Sequence, residues 1–514
     1  MVRADTIPSV LQEYRIIQYP LPSGSLQPWG ISIDQSGRVW FVEEQSNQIG
    51  MFDPITKSFN EFNVTTPNAL LEEISIDGSG NPWFTELNGE RLGELNVSSS
   101  TIREFRIPNG PGNLPCGPIG VTAEKSSIWI TCEFSDQIDQ FFPANSSFSS
   151  YNLPVFYSAP LDIAFDSTGN FWFTAADSNM IGYVTTSELR AGTSDGIREF
   201  APRNSTYLAT ITNPQPPPGV TQYNNANQTI TSSLKTPSQL AIGPNGNLWI
   251  TEHVSSSFDE YNINSGILDK YWTSQTHNPN FTNSLPNGIA VDRGGIVWVA
   301  EHYGNKIAEF DPSSRTMIEY PIPCCGSQLA GSLYLALGEN STVWFTEFYG
   351  NRIGELVPVN SGSLSLSLDN MSLSMNGDNG NVTVPILLST PDSDRNQNVT
   401  FDISGLTDSG QFVKASAIFS PPSVPLGPNG SGRSELILKT RGLSPGDYYL
   451  TVSGSSSLSG NIYSTILSLA VTDSLNFSSL LTEALVVGVV LAIITVGSLA
   501  LIMSRRPKKP IRKR

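Results

Sequence analysis

The chain repeats one tryptophan-centred pattern seven times between Gln27 and Pro358, at intervals that lie mostly in the forties of residues. Each copy opens with a short alternating apolar run, passes a Gly or Asn turn, and continues as a segment of the Trp-aromatic-Thr-Glu type. The repeat tryptophans are Trp40, Trp83, Trp129, Trp172, Trp249, Trp298 and Trp344. Repeats of this length and alternation are typical of four-stranded blades around an axis. The sequence therefore predicts an all-β fold that contains a seven-bladed β-propeller.

The last repeat lacks the fourth strand that most of the others have, for example at residues 102–105 and 197–200. A segment of the same form, residues 12–20, stands instead before the first repeat. We expect it to complete the last blade, because a closed ring leaves no long unpaired strand edge. The spacing is uneven only between Trp172 and Trp249, where a Pro- and Asn-rich stretch predicts a loop insertion at about 185–235.

Changes in composition divide residues 1–475 into a lead and two predicted domains. The propeller is predicted over residues 12–358, after a lead of residues 1–11. Residues 359–475 are rich in Ser, Gly, Asn and β-branched residues in alternating runs, which predicts an immunoglobulin-like β-sandwich. We interpret this domain as a spacer that lifts the propeller off a surface.

A run of apolar and small residues near the C-terminus predicts one transmembrane helix over residues 480–503. The basic residues of the segment 504–514 follow directly, and by the positive-inside rule they form a cytoplasmic tail. The prediction is a single-pass protein of the cell membrane whose N-terminal ectodomain lies outside.

The charge and the glycosylation motifs agree with an ectodomain outside the cell. The formal net charge is −17 at pH 7, which argues against nucleic acid as a partner. Asn-x-Ser/Thr motifs, which can be glycosylated only outside, recur in both predicted ectodomain parts. They include Asn63, Asn96, Asn145, Asn204, Asn280, Asn340, Asn398 and Asn429.

The four cysteines fall into two pairs. In an antiparallel meander the start of strand one and the end of strand two are neighbours, so Cys116 and Cys132 are predicted to form a disulfide in an oxidising exterior. Cys324 and Cys325 are adjacent in sequence, at the start of the last repeat. A vicinal disulfide, a soft-metal site and two free thiols are all compatible with this second pair.

The starts of the repeats and the loops after strand two converge on one end of the ring, which is the default binding site. Repeat glutamates are expected there, although a residue type found in most blades is also typical of a structural role; they are Glu43, Glu86, Glu133, Glu252, Glu301 and Glu347. Two histidines, His253 and His302, directly follow the repeat glutamate in successive blades. We predict Glu252, His253 and Glu301 as candidate metal ligands, and His302 as a candidate acid or base.

The forms Pro-x-Gly-Ile, Gly-x-x-Trp-Phe-Thr-Glu, Asn-x-Ile-Gly and Ile-x-Glu-Tyr-Pro-Ile-Pro resemble the virginiamycin B lyase (streptogramin lyase) family of seven-bladed propellers. The resemblance covers about residues 12–358. It implies magnesium-dependent opening of a cyclic depsipeptide by elimination, in which a base removes a proton and a metal polarises the ester carbonyl. The family's histidines in the last two blades correspond to Asn287 and Leu333, neither of which can act as that base. The family's last-blade glutamate corresponds to Glu347, and an aromatic site residue to Trp29.

Two functional hypotheses follow. The first is a surface-tethered lyase or lactone-cleaving enzyme, related in architecture also to gluconolactonase-type propellers, that uses His302 and Glu347 with magnesium or another divalent cation. The second is a non-catalytic propeller that binds a small molecule, a surface glycan or a neighbouring protein through the same site, with Trp29 and Asn287 as ligand contacts. The missing histidines favour the second hypothesis.

Overall fold

The computed structural model describes residues 11–22, 24, 26–202, 209–212, 229–232, 234–274, 283–323, 329–359, 364–376, 381–390, 396–404, 417–439 and 446–472. In this part of the chain the regular structure is β-strand, apart from short 3-10 turns at Pro111–Asn113, Thr186–Glu188 and Glu339–Ser341. The fold is therefore all-β within the described residues, as the sequence predicts.

Seven four-stranded antiparallel meanders surround one axis, and the first strand of each contacts the first strands of both neighbours. The strands up to blade four are β1 (Tyr14–Pro20), β2 (Pro28–Ile33), β3 (Val39–Glu43), β4 (Gln48–Asp53), β5 (Ser58–Asn63), β6 (Leu71–Ile76), β7 (Pro82–Glu86), β8 (Arg91–Asn96), β9 (Thr101–Arg106), β10 (Pro118–Glu124), β11 (Ser127–Cys132), β12 (Gln137–Phe142), β13 (Ser147–Asn152), β14 (Pro160–Phe165), β15 (Phe171–Ala175), β16 (Met180–Val184) and β17 (Ile197–Phe200). After a hairpin of β18 (Ala209–Thr212) and β19 (Thr229–Ser232), the ring continues with β20 (Pro237–Ile242), β21 (Leu248–Glu252), β22 (Ser257–Asn262), β23 (Ile267–Trp272), β24 (Pro286–Val291), β25 (Val297–Glu301), β26 (Lys306–Asp311), β27 (Thr316–Pro321), β28 (Ser332–Leu337), β29 (Val343–Glu347) and β30 (Arg352–Pro358). Blades one to four are β2–β5, β6–β9, β10–β13 and β14–β17, and blades five to seven are β20–β23, β24–β27 and β28–β30 with β1.

The N-terminal strand closes the ring. β1 pairs antiparallel with β30 along its whole length, with Tyr14 opposite Pro358. The buried Tyr14 ring lies edge-on to Trp298 at 5.0 Å and to Tyr320 at 5.9 Å. Blade seven thus takes its outer strand from the start of the chain, and that strand also packs against blade six.

Each repeat tryptophan is buried in its blade, and in blades one and two the turn between strands one and two anchors its indole. The indole N–H of Trp40 donates to Asp34 at 2.9 Å, and that of Trp83 donates to Asp77 at 3.0 Å. The Asp34 carboxylate also accepts the backbone N–H of Ser36, which fixes the turn. In these two blades one aspartate therefore orders the turn and the tryptophan together.

Threonine hydroxyls join neighbouring blades close to the axis. In blades two to five, the threonine of strand two donates to a backbone carbonyl on the innermost strand of the next blade, at 2.6–2.9 Å. The pairs are Thr85 with Ile119, Thr131 with Leu161, Thr174 with Ser238, and Thr251 with Asn287. These bonds set the height of each innermost strand relative to the next.

Two further sequence predictions concern loops: the cysteine pairs and the insertion after blade four. Cys116 and Cys132 form a disulfide between the start of β10 and the end of β11, where the meander geometry indicates it. Cys324 and Cys325 lie outside the described residues. The insertion is shorter than predicted, because β17 is the outer strand of blade four and the inserted segment runs only between β17 and β20.

The C-terminal domain is a two-sheet β-sandwich. Its strands are β31 (Ser365–Leu368), β32 (Ser372–Asn376), β33 (Asn381–Ser389), β34 (Gln397–Ser404), β35 (Ala417–Ser420), β36 (Ser423–Leu426), β37 (Ser431–Lys439), β38 (Gly446–Ser456) and β39 (Ile462–Thr472). One sheet has the order β31-β33-β37-β35, and the other has β36-β34-β38-β39 with β32 parallel to β39. Alternate residues such as Val384, Ile386 and Leu436 are buried between the sheets.

The sandwich lies directly against the propeller. β39 pairs antiparallel with β27, from Thr316 opposite Thr465 to Glu319 opposite Ile462, so blade six and one sandwich sheet form a continuous nine-stranded sheet. The Tyr463 hydroxyl also donates to Glu13, just before the closing strand, at 3.0 Å. The sequence did not predict this junction, which covers the outer edge of blade six.

No helix among the described residues is long and apolar enough to cross a membrane. The predicted transmembrane segment 480–503 and basic tail 504–514 lie outside the described residues, so both remain predictions.

We expect Tyr14→Ala to lower the free energy of unfolding by about 3–5 kcal/mol, because it removes a buried aromatic ring from the strand that closes the ring. Ile55→Ala is the matched control, because Ile55 is 87% exposed and its truncation is expected to cost less than about 0.5 kcal/mol. Urea denaturation followed by tryptophan fluorescence measures both. Equal midpoints for the two variants would show that closure by β1 does not stabilise the propeller.

Backbone amides of residues 316–319 are expected to exchange with solvent more slowly than those of residues 101–106. Both segments belong to the fourth strand of a blade, but only the first is paired on its outer side within the described part of the chain. Hydrogen exchange with mass detection compares the two in one sample. Equal rates would contradict the continuous sheet.

Candidate functional site

Side chains at the second and third positions of the innermost strands surround the axis in two layers, which we call the second layer and the third layer. Each innermost strand has a register shift after its first residue, so its second and third residues lie in a bulge. The second-layer residues are Trp29, Glu72, Ile119, Leu161, Ser238, Asn287 and Leu333, and the third-layer residues are Gly30, Glu73, Gly120, Asp162, Gln239, Gly288 and Tyr334. The blades differ most at these positions, which shape the axial channel.

Polar third-layer side chains fill the channel. The Gln239 amide of blade five donates to the Glu73 carboxyl of blade two at 2.8 Å, so the two side chains meet across the axis. Glu73 also accepts from the Val121 backbone, and Asp162 accepts from the Leu240 backbone. Burial and the neighbouring Asp162 raise the pKa of Glu73 well above its usual range. This cluster forms a floor across the channel.

Glycine in the third layer of blades one, three and six permits this packing. A Cβ on Gly120 would lie 2.3 Å from the Leu161 carbonyl oxygen, and a Cβ on Gly288 would lie 2.7 Å from the Leu333 carbonyl oxygen. The Pro-x-Gly motif thus reflects the close approach of neighbouring blades.

We use the word funnel for the space above this floor, lined by the second layer and by the residues that follow strand two of each blade. Blades five to seven and blade one contribute rings to it. The rings of His253 and His302 stack with centroids 5.8 Å apart, and His302 stacks on Tyr349 at the same distance. Phe348 lies edge-on to Trp29 at 5.0 Å. These five residues are called the aromatic arc.

His302 is buried, with 7% of its surface exposed, and neither ring nitrogen has a hydrogen-bond partner among the described residues. Burial and the neighbouring His253 lower the pKa of His302 to about 3. Burial also lowers the pKa of His253. Both imidazoles are therefore neutral at neutral pH, and His302 is a weak proton acceptor.

Blades one to four contribute carboxyl groups. Glu44 and Glu133 directly follow strand two of their blades, Glu72 belongs to the second layer, and Asp177 lies two residues after β15. Burial and the carboxyls of Glu44 and Glu133 raise the pKa of Glu72 to about 8. Burial and Asp177 raise the pKa of Glu133. These four residues are called the acidic arc.

The repeat glutamates of blades five and six lie inside the blades. Glu252 is 1% exposed and forms an ion pair with Lys270, which also pairs with Asp259 at 3.0 Å. Glu301 is fully buried and lies 3.2 Å from the Lys306 ammonium. Strand alternation directs each glutamate into its blade and the following histidine to the opposite side.

The predicted metal ligands Glu252, His253 and Glu301 are consequently not assembled into one site. Both carboxylates are already paired with lysines. Across the described ranges, no group of three or more His, Cys, Asp or Glu side chains is arranged to hold a metal ion. The arrangement of these residues does not fit magnesium.

Two other predicted site residues have structural partners. Glu347 is fully buried and accepts two hydrogen bonds from the Gln18 amide on β1, at 2.8 and 2.9 Å. The Asn287 amide accepts from the Ser238 hydroxyl at 2.6 Å and donates to the Leu333 carbonyl at 3.2 Å. Glu347 thus binds the closing strand to blade seven, and Asn287 joins blade six to blades five and seven. Of the predicted metal, catalytic and ligand-binding residues, His253, His302, Trp29 and Asn287 line the funnel.

The sequence reasoning missed most of the acidic arc. It grouped Glu133 with the repeat glutamates, whereas Cys132 holds that register opposite Pro118 and Glu133 follows it. A signal for Glu72 exists in the sequence, because blade two begins Leu71-Glu72-Glu73 where blades one, three and six have Pro-x-Gly. This departure can be interpreted only once the structure shows that the bulge after Leu71 places the Glu72 side chain at the axis.

Comparisons with known proteins agree with this architecture. The sequence model of the Virginiamycin B lyase family matches residues 1–117. A solved streptogramin B lyase is 24% identical, covering 67% of this chain and 98% of that chain with a TM-score of 0.53. The virginiamycin B lyase from Staphylococcus aureus is 23% identical, covering 68% of this chain and 100% of that chain with a TM-score of 0.53. No curated protein sequence matches.

A further similar structure is a catalytically inactive variant of the Staphylococcus aureus enzyme with quinupristin, at 23% identity. At these identities the likeness shows the fold. The family match over residues 1–117, together with this shared fold, confirms the resemblance to the virginiamycin B lyase family that the repeats indicate.

Proposed function

We propose that this chain is a membrane-anchored extracellular binding protein whose funnel holds a ligand without cleaving it. The carrying observation is that the aromatic arc and the acidic arc lie at the same end of the ring, next to the third-layer cluster that fills the channel. A concave site with rings and a few polar groups is the usual setting for a small ligand. The ligand is a small molecule, or a compact group presented by a surface glycan or protein.

The side chains at the family's histidine positions support binding without elimination. Leu333 has no group that accepts a proton, and both polar atoms of the Asn287 amide are engaged by neighbouring blades. The predicted magnesium ligands are separated and paired with lysines. The base and the metal that the elimination requires thus have no counterpart at these positions.

The extracellular location is supported by independent features. The apolar segment 480–503 with its basic tail predicts the anchor. The Cys116–Cys132 disulfide is typical of an oxidising compartment. The glycosylation motifs at Asn145, Asn340 and Asn429 are on exposed residues, where a glycan is accommodated.

One observation favours the alternative, a lyase with a replaced base. His302 lines the funnel, and its ring nitrogens have no hydrogen-bond partner in the described part of the chain. A pKa lowered to about 3 makes this imidazole a poor base at neutral pH, however, since proton transfer is most efficient when the pKa lies near the working pH. The binding function therefore explains the site better.

We expect quinupristin to bind the full-length protein in phosphatidylcholine nanodiscs and to remain intact. Calorimetry measures binding, and liquid chromatography with mass detection follows the compound with magnesium and with chelator. Tyr349→Leu is expected to weaken binding about tenfold, because it removes a half-exposed ring from the aromatic arc. Ile55→Ala, on an exposed residue outside the funnel, is the control. A magnesium-dependent product of unchanged mass and new retention would contradict binding without cleavage.

A further inference from the structure

The carboxyls of the acidic arc have no ion-pair partner among the described residues. The ion pairs within the described residues involve other acids, and none includes Glu44, Glu72, Glu133 or Asp177. Glu72 is only 8% exposed, so its ionised form is poorly hydrated. Burial and neighbouring acids raise the pKa of Glu72, which shows the cost of negative charge at this point.

In blades five and six, buried carboxylates are paired with lysine side chains. Inside blade five, Lys270 pairs with both Glu252 and Asp259, and inside blade six, Lys306 pairs with Glu301 and lies 2.7 Å from Glu319. In blades five and six these buried acids are thus given their own ammonium group. None of the ion pairs among the described residues supplies such a group to the acidic arc, so a positive charge brought by a ligand would stabilise it.

The aromatic arc faces the same space from the other side. Its stacked rings run from His253 through His302 to the Tyr349 ring, whose exposure is 45%. Burial, the neighbouring Tyr303 hydroxyl and the Glu44 carboxyl raise the pKa of Tyr349 to about 12. The aromatic arc ends at Trp29 on β2, and β2 packs against β6, which carries Glu72 at the equivalent position. The two arcs therefore meet at the same end of the ring.

His302 is an independent sign of an incoming ligand. Its side chain is more than nine-tenths buried in the aromatic arc, yet Nδ1 and Nε2 both lack a hydrogen-bond partner among the described residues. Buried polar groups are almost always satisfied by the protein, by water or by a bound molecule. A polar group of a ligand that stacks on this arc would satisfy one ring nitrogen.

We propose that the funnel selects organic cations in which an amine is attached close to an aromatic ring. The ring stacks on the aromatic arc, and the ammonium group lies beside Glu72 and its neighbours in the acidic arc. The tyrosine face adds a cation–π contact to the same ammonium group. This inference rests on the proposed binding function and adds the chemical class of the ligand.

The test compares 2-phenylethylammonium with 2-phenylethanol and phenylacetate, which share the ring and differ in charge. Calorimetry on the full-length protein in phosphatidylcholine nanodiscs at neutral pH measures each affinity, with empty nanodiscs as the blank. We expect the cation to bind about tenfold more tightly than the alcohol and the anion to bind most weakly. Equal affinity for the three compounds would overturn the inference.

Variants separate the two arcs. Glu72→Gln is expected to weaken the cation about tenfold and to leave the alcohol unchanged, whereas Tyr349→Leu weakens both. Glu435→Gln makes the same charge change at an exposed residue of the sandwich and is expected to change neither affinity. If Glu72→Gln does not fold, Glu133→Gln gives the selective loss at a more exposed position. Equal losses for cation and alcohol in either glutamate variant would contradict the assignment of the acidic arc.

The outcomes also distinguish this inference from the proposed function. If quinupristin binds but the three phenyl compounds do not differ, the funnel binds a ligand and the cation selectivity is wrong. If neither quinupristin nor any phenyl compound binds, the proposed function fails as well.

Discussion

The hydrogen bonds from strand-two threonines to the next innermost strand are the contacts on which the site depends. They join blades two to five each to the next blade at a fixed height, and in blade three Gly120 leaves room for the close approach of the Leu161 carbonyl. Since each innermost strand also bulges after its first residue, its second and third side chains are delivered to the axis. The channel floor and the funnel wall both follow from this geometry.

The number of blades, the role of β1 and the Cys116–Cys132 pair could be predicted because they depend on repeated local patterns. Blade count follows from tryptophan spacing, and closure follows from one missing strand and one matching segment. The junction of β27 with β39 could not be predicted, because strand pairing between distant segments leaves no periodic signal in either strand. The same limit applies to the bond between Gln239 and Glu73 across the axis.

The candidate site was predicted only in part, because one residue type has two environments in this fold. Glu301 is the last residue of its strand two and is buried beside Lys306, whereas Glu133 directly follows its strand two and belongs to the funnel. A shift of one residue decides whether the glutamate lies inside the blade or in the funnel, since neighbouring residues along a strand face opposite sides. The histidines lie beside the funnel, whereas Glu252 and Glu301, which were predicted as metal ligands with His253, point into the blades and pair with lysines.

The central claim is that an organic cation binds between the two arcs of the funnel. Two of the three histidines of the chain, His253 and His302, lie in the aromatic arc, so their ring resonances report on the site directly. We would record histidine ring NMR spectra of the selectively labelled protein during titration with 2-phenylethylammonium, with each resonance assigned by a His→Gln substitution. The account predicts saturable shifts of both rings that are lost in Glu72→Gln. Binding that leaves both resonances unmoved would contradict it.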